Sequence, residues 1–128
     1  MKLSHGFRSK FEFDFAHYLA KNKIKYEYEP KKFEYIMPVK SYTPDFLLWE
    51  YGFYLELKGE LDVTDRVKHL LVKKQNPKVD IRFIFPNCNK KIYKGSKTTY
   101  GDWCNRHGFL YAENRMPKEW LKKKKKKS

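Results

Sequence analysis

The stretch YTPDFLLWEYGFYLELKG, residues 42–59, decides how the rest of the chain is read. Apolar and aromatic residues run on both sides of Tyr51–Gly52, as in two strands joined by a tight turn. Gly52 supplies the permissive backbone that such a turn needs. Strand side chains alternate between faces. Phe53, Leu55 and Leu57 therefore point one way, and Tyr54, Glu56 and Lys58 the other, so a carboxylate and an ammonium group share a face. Asp45 joins them for either even loop length. A two-residue loop at Tyr51–Gly52 sets Asp45 opposite Lys58 and diagonal to Glu56. A four-residue loop, Trp49 to Gly52, sets it opposite Glu56. An odd loop would scatter the three charges, because a one-residue slip turns every side chain to the other face.

Two carboxylates held close together repel one another and take up protons or a metal. A hard divalent cation such as Mg²⁺ is held by one or two carboxylates together with phosphate oxygens. A neighbouring lysine can orient or deprotonate a water, or neutralise charge on a phosphorane. The spacing P-D-x10-E-x-K thus follows the logic of the PD-(D/E)xK nucleases. Alone it is weak: Glu56 and Lys58 could equally be a surface ion pair worth under ~1 kcal/mol.

With 128 residues the chain makes one domain, residues 1–121, large enough for a core, followed by a lysine tail, 122–128. No run of eighteen apolar residues exists, so no membrane span is expected. The N-terminus lacks the apolar core of a secretory signal, and a cytoplasmic location is expected. Lysine and arginine number 29 against 15 acidic residues, a net charge of +14; setting aside the six lysines of Lys122–Lys127 leaves +8. The excess is spread over the fold and points to a polyanionic partner. Cys88 and Cys104 stand in no CxxC pattern, and His5, His17, His69 and His107 lack ligand spacing, so all six read as structural or surface residues with the cysteines reduced.

In chain order, residues 9–21 read as a helix, with Phe11, Phe15, Tyr18 and Leu19 on one stripe. Ser9-x-x-Glu12 has the form of a capping box in which Glu12 bonds back to the Ser9 amide. Glu12 also borders the buried stripe, where it could serve as a metal-site carboxylate; geometry favours the cap. Residues 24–29 alternate as a strand ended by Pro30. Residues 31–41 are a candidate connector, partly extended at 33–37. After the two motif strands come a helix over 65–75, capped by Thr64 with Val67, Leu70 and Leu71 inward, and a central strand over 79–85. A short strand at 91–94 and a helix over 98–107 follow, the latter with Tyr100, Trp103 and Cys104 buried and Gly108 as its C-cap. A last strand at 109–112 and a terminal helix opened by Pro117 complete the order. The lysine run is expected to be disordered, and could also attach to phosphate backbone. The pattern is α/β, a mixed central sheet flanked by helices.

Beyond these elements, the sequence resembles the bacteriophage endonuclease I family of Holliday-junction resolvases. The resemblance runs from Phe7 to about Lys122. It rests on Phe7-Arg8-Ser9 with Glu12, KYEYE at 25–29, YTPDFLL at 42–48, LELKG at 55–59 and DRVKHLL at 65–71. IYKGS at 92–96, TTYGDWCNRHG at 98–108 and MPKEW at 116–120 complete it, all in one order. It implies a restriction-endonuclease-like core and a metal-dependent nuclease that nicks two strands of a four-way junction. It carries Glu12, Asp45, Glu56 and Lys58 over as catalytic residues. It also implies a homodimer with exchanged segments, in which Glu12 of one chain completes the other chain's site and residues 31–41 bridge the halves. Fewer residues precede Phe7 than this family leads one to expect, so an arm gripping DNA is expected to be missing. The bridge is slightly shorter, and the chain ends in bare lysines.

The mechanism expected on this basis uses two Mg²⁺ per site, with Mn²⁺ able to substitute. Asp45, Glu56 and the Leu57 carbonyl hold one ion with a scissile phosphate oxygen, Glu12 helps hold the second, and Lys58 positions or activates the water. Candidate phosphate contacts are Arg8, Lys10, Lys31, Lys32, Lys68, Lys90, Lys91 and Lys94. Two other functions fit the composition: a non-catalytic junction- or duplex-binding protein, and a nicking or homing-type endonuclease acting on linear duplex.

Overall fold

The computed structural model describes residues 6–35 and 39–122. Part of the expected bridge, residues 36–38, and all but the first residue of the lysine tail lie outside the described residues, as does His5. The motif strands form β4 (Phe46–Leu48) and β5 (Phe53–Leu57), an antiparallel hairpin with Phe46 opposite Leu55 and Leu48 opposite Phe53. Of the two even loops, the four-residue one is found. The Tyr51 and Gly52 amides both donate to the Leu48 carbonyl at 2.9 Å, and Gly52 takes a φ of 80° that a side chain would resist. One step beyond the Phe46–Leu55 pair, Asp45 faces Glu56.

This hairpin is the middle of a five-stranded mixed sheet. Along one edge β1 (Glu27–Tyr28) pairs antiparallel with β4. On the other side β6 (Ile81–Phe85) and then β7 (Tyr111–Glu113) run parallel to β5. The parallel pairs need crossovers, and helices supply them: α2 (Val63–Gln75) between β5 and β6, α3 (Tyr100–His107) between β6 and β7. The remaining helix, α1 (Lys10–Lys21), packs Phe15, Ala16 and Leu19 against Phe46, Leu48, Leu55 and Ile84. Phe83 and Phe85 point oppositely to Ile84 and pack with Tyr100, Trp103, Cys104 and Phe109. That is why β6 is apolar on both faces. Phe46, Leu48, Leu55, Phe83 and Phe85 are fully buried, each contributing about 1.5–3 kcal/mol.

Several expectations are corrected. The strand expected over 24–29 is paired only at Glu27–Tyr28, because the turn leaving α1 extends to Ile24, whose amide donates to the Leu19 carbonyl at 2.9 Å. The described residues within 31–41 form more than a connector. β2 (Phe33–Tyr35) and β3 (Lys40–Tyr42) pair antiparallel as a second small sheet, seating Phe33, Tyr35 and Tyr42 on Val72 and Ile81. α2 is capped by Asp62, not Thr64: the Asp62 carboxylate accepts the Asp65 amide at 2.8 Å. Its buried residues are His69 and Val72, while Val67 is 47% exposed and Leu70 and Leu71 are half-buried. The strand expected at 91–94 reduces to one bridge, Lys91 with Thr99. The terminal helix reduces to a 3-10 turn, Lys118–Trp120, after Pro117. The helix expected over 98–107 forms over Tyr100–His107, with Thr99 as its N-cap in a reciprocal capping box with Asp102 and Gly108 in the left-handed region at φ 75°. No helix among the described residues is long and apolar enough to cross a membrane.

Gly101 lies where α3 crosses β7. A Cβ there would stand 2.6 Å from the Tyr111 hydroxyl oxygen and 2.8 Å from its ring. Gly101→Ala gains about 1 kcal/mol of helix propensity and loses about 1–3 kcal/mol to overpacking. Net destabilisation is expected, read as a lower denaturation midpoint; a raised midpoint would show that the Tyr111 ring moves aside freely.

Candidate active site

The turn ahead of β4 and the end of β5 bring Asp45 and Glu56 together on the sheet face that α2 covers. Pro44 fixes the approach to Asp45, and both carboxylates are buried. Each is held by a specific donor. Asp45 Oδ2 accepts the Leu57 amide at 2.8 Å, and Glu56 Oε1 accepts the buried Tyr42 hydroxyl, also at 2.8 Å. Glu12, on the first turn of α1, is buried as well. The Ser9 hydroxyl caps the helix by accepting the Glu12 amide at 3.0 Å. The expected return bond to the Ser9 amide is not made. Glu12 Oε1 instead accepts the Tyr28 hydroxyl at 2.6 Å and the Arg8 amide at 3.0 Å, and the Glu12 carboxylate lies close enough to Asp45 to help raise its pKa. Glu12 is therefore a site residue whose backbone serves the cap, and within this chain it meets Asp45 of the same copy.

Lys58, the residue after β5, completes the group. Its ammonium lies 3.9 Å from Glu56 Oε2 and 2.8 Å from Asp65 Oδ1 in the first turn of α2. Burial works against that charge, but Glu56, the Asp65 hydrogen bond and charge, and Asp45 outweigh it and raise the Lys58 pKa. Lys58 is thus a cation and hydrogen-bond donor at neutral pH. Lys68, one turn along α2, sits 3.6 Å from Asp65 and over the Tyr42 ring.

The carboxylates carry the opposite imprint. Burial, then the Glu56 charge, then the bond and charge of Glu12 push Asp45 up to about 10, against the Leu57 amide that pulls it down. Burial raises Glu56 to about 7, although Lys58, the Tyr42 hydrogen bond and Lys68 favour its charge. His69, also from α2, packs edge-on between Tyr42 and Phe83. Neither of its ring nitrogens finds a hydrogen-bond partner among the described residues. Burial, then Lys68 and Lys58, lower it to about 3. Its 3.8 Å approach to Glu56 is therefore a neutral contact.

The described residues contain no ready-made group of three or more His, Cys, Asp or Glu metal ligands. They offer buried, mutually repelling carboxylates with hard oxygen donors, which is the chemistry Mg²⁺ uses when substrate and water supply its other ligands. Cys88 and Cys104 are free thiols, half-buried and buried.

The expected phosphate contacts divide. Arg8 is ion-paired with Glu29 at 2.6 Å, Lys31 lies over Phe33, and Lys68 faces the site. Lys90 pairs with Glu60 at 3.4 Å. Lys10, Lys32, Lys91 and Lys94 are exposed. Sequence reasoning missed Tyr28, Tyr42, Asp65 and the placement of His69. Asp65 and His69 are four apart on one helix and so share a face, a signal that could have found them. The tyrosines give no such signal, since their roles depend on strand pairings remote in sequence.

These shifts fix a pH dependence. A carboxyl whose pKa is raised by folding binds more protons in the native than in the unfolded state. Its stabilisation is full below the ordinary carboxylate range and is lost as pH rises through the folded values, here about 7 and about 10. Without divalent metal, the melting temperature should fall between pH 7 and pH 9, above the range in which histidines titrate. Asp45→Asn, which mimics the protonated acid, should flatten that fall. A melting temperature that rises over the window, or an unchanged slope in Asp45→Asn, would contradict it.

A family model described as phage endonuclease I matches residues 1–128. The chain is 44% identical over 123 residues to the protein named endonuclease I of Escherichia phage T7, covering 94% of this chain and 82% of that protein. To the endodeoxyribonuclease 1 of Enterobacteria phage T3 it is 43% identical over 123 residues, 94% of this chain and 80% of that one. A whole-length family match and this level of identity, on a chain whose motif residues fold into one acidic site, place it: the protein belongs to the phage endonuclease I family.

Proposed function

We propose that this endonuclease is a metal-dependent, structure-selective endodeoxyribonuclease that resolves four-way DNA junctions by paired phosphodiester hydrolysis. The observation that carries the proposal is the burial of Asp45 and Glu56 face to face, with Glu12 also buried against Asp45 and Lys58 alongside. Such a cluster is costly to bury and is useful where a cation and a phosphate come to it.

Asp45, Glu56 and the Leu57 carbonyl would hold one Mg²⁺ and Glu12 would help hold a second, with Mn²⁺ able to take either place. When bound, the ions polarise the phosphate and make water a better nucleophile at neutral pH. The chain's own residues do the rest. Tyr42 occupies one oxygen of Glu56 and leaves Oε2 for a ligand. The Leu57 amide and Glu12 fix Asp45. Asp65 holds the Lys58 ammonium, which as a cation stabilises the charge growing on the phosphate oxygens and orients the attacking water. Lys58 therefore acts as a donor and not as a general base.

Junction cleavage in Mg²⁺ tests this assignment. Asp45→Ala and Lys58→Ala should each slow it by far more than tenfold; a rate within tenfold of the parent, a barrier change under ~1.4 kcal/mol, would remove that residue from the chemistry. Comparing the junction with its component linear duplexes separates junction selectivity from nicking or homing-type cleavage. Binding without nicking would indicate a non-catalytic junction protein.

A junction has two-fold symmetry, and paired nicks need two sites at a fixed separation, which a two-fold dimer supplies. We assign the exchange of segments to residues 31–41, which are too short and too poor in glycine for a loose tether. Separating β2 from β3 would carry α1 to a second chain and re-form the Glu12–Asp45 contact between copies. Refolding Glu12→Ala with Lys58→Ala distinguishes the two arrangements. With exchange, the heterodimer holds one doubly damaged and one intact site and should nick a single strand at near-parent rate. A dead heterodimer, verified by mass, would place Glu12 in its own chain's site.

A further inference from the structure

Residues 87–101 contain Lys90, Lys91, Lys94 and Lys97 and no acidic side chain. The segment leaves the C-terminal end of β6. Parallel β5 ends at that same edge of the sheet, one residue before Lys58. It is not a loose loop. Lys91 bridges Thr99, and the Ile92 amide donates to the Thr98 carbonyl at 3.0 Å. The Tyr100 amide donates to the Lys90 carbonyl at 2.8 Å, and the Ser96 amide closes the tip onto the Tyr93 carbonyl at 3.1 Å. Gly95 turns the tip with φ 87°.

The hairpin is also bolted to the site. Arg66 donates through Nη1 to the Leu61 carbonyl at 2.7 Å and to the Ile92 carbonyl at 2.9 Å. Its chain neighbour Asp65 holds Lys58. Lys90 reaches Glu60 at 3.4 Å, two residues past Lys58.

Tyr93 projects from this hairpin, 61% exposed. Other exposed rings have partners: Trp49 lies under the Lys25 ammonium, and Phe13 packs edge-on against Phe7. Among the described residues Tyr93 has no ring or cation partner.

We propose that Tyr93, framed by Lys91, Lys94 and Lys97, is a stacking residue for an unstacked base of branched DNA, held beside the catalytic lysine by the Arg66 anchor. This rests on the nuclease function above and names how the same site selects its substrate. The lysines attract the phosphate backbone without regard to sequence. An aromatic face adds stacking to any base that is free to receive it. In a continuous duplex the bases are already stacked within the helix, whereas a branch point interrupts stacking. Because the hairpin is already ordered by its backbone bonds, little ordering cost opposes the contact.

The test measures binding in divalent-free buffer, so that no cleavage intervenes. A labelled four-way junction and a linear duplex of the same arm sequence are titrated with parent, Tyr93→Ala and Tyr93→Phe proteins. Tyr93→Ala should lose about tenfold in junction affinity and keep the parent's duplex affinity and melting temperature, with Tyr93→Phe matching the parent. A 2-aminopurine at the branch should be quenched by the parent and not by Tyr93→Ala. Junction affinity of Tyr93→Ala within about twofold of the parent, or a Tyr93→Phe as weak as Tyr93→Ala, would overturn the proposal. The second result would assign the contact to the hydroxyl. Cleavage is scored separately. A parent that cuts, with Tyr93→Ala binding normally, sinks only the stacking role; a parent that never cuts sinks the nuclease function and leaves the binding result standing on its own.

Discussion

The structure depends on one costly arrangement: Asp45 and Glu56 face one another across the β4–β5 hairpin, both buried. Two carboxylates removed from water repel and lose hydration, a cost of several kcal/mol per ion when unpaired. Around them stand the groups that make the arrangement tolerable. The Leu57 amide and the Tyr42 hydroxyl bond the two acids, and the Lys58 ammonium balances charge. The remaining cost appears as protons held far above the ordinary carboxylate range. On the proposed function, a cation would displace those protons and Lys58 would supply a fixed positive charge for phosphate.

Each packed layer contributes one part of that pocket. The sheet provides Asp45 and Glu56, and α1 brings Glu12 from the opposite face with Tyr28 of the edge strand clasping it. The small β2–β3 sheet provides Tyr42. From α2 come Asp65 to hold Lys58, His69 as a neutral wall, and Arg66 to tie the basic hairpin to the same edge. α2 thus links the residues proposed for the chemistry with those proposed to face substrate. The register of its first turn, set by the Asp62 cap, is what aligns them.

The likeness to the phage T7 and T3 proteins extends over nearly the whole chain, so it covers the supporting residues as well as the acids. Within one chain Glu12 lies against Asp45, Asp45 faces Glu56 and Lys58 lies 3.9 Å from Glu56. The α1 segment is joined to the remainder through the chain at 29–41, through the β1–β4 pairing and through the packing of α1 on the sheet. A segment joined in this way can make the same contacts within a chain or between two copies.

Much of this was legible from local pattern. Period-two alternation in 53–58 gave the shared face of Glu56 and Lys58, and parity alone brought Asp45 to it. Ile81, Phe83 and Phe85 against Ile84 marked the strand covered on both faces, and Gly108 marked the end of α3. These signals are local because alternation, capping and left-handed glycine are properties of a few neighbouring residues. What the amino-acid order left open was decided by contacts between distant segments. The β4–β5 register that sets Asp45 against Glu56 is embedded in the sheet by β1 and β6, which pair with the outer edges of the hairpin. The face of α2 that turned inward was that of His69 and Val72, because the aromatic pocket of Tyr42, Phe83 and Phe109 receives a flat ring and Val67 finds no cover. Glu12 turned toward Asp45, thirty-three residues away, because Tyr28, sixteen residues away, and the Arg8 amide offered it hydrogen bonds that the Ser9 amide did not. Pairings of that range carry no periodic mark in a sequence; they exist only once burial forces each polar group to find its partner.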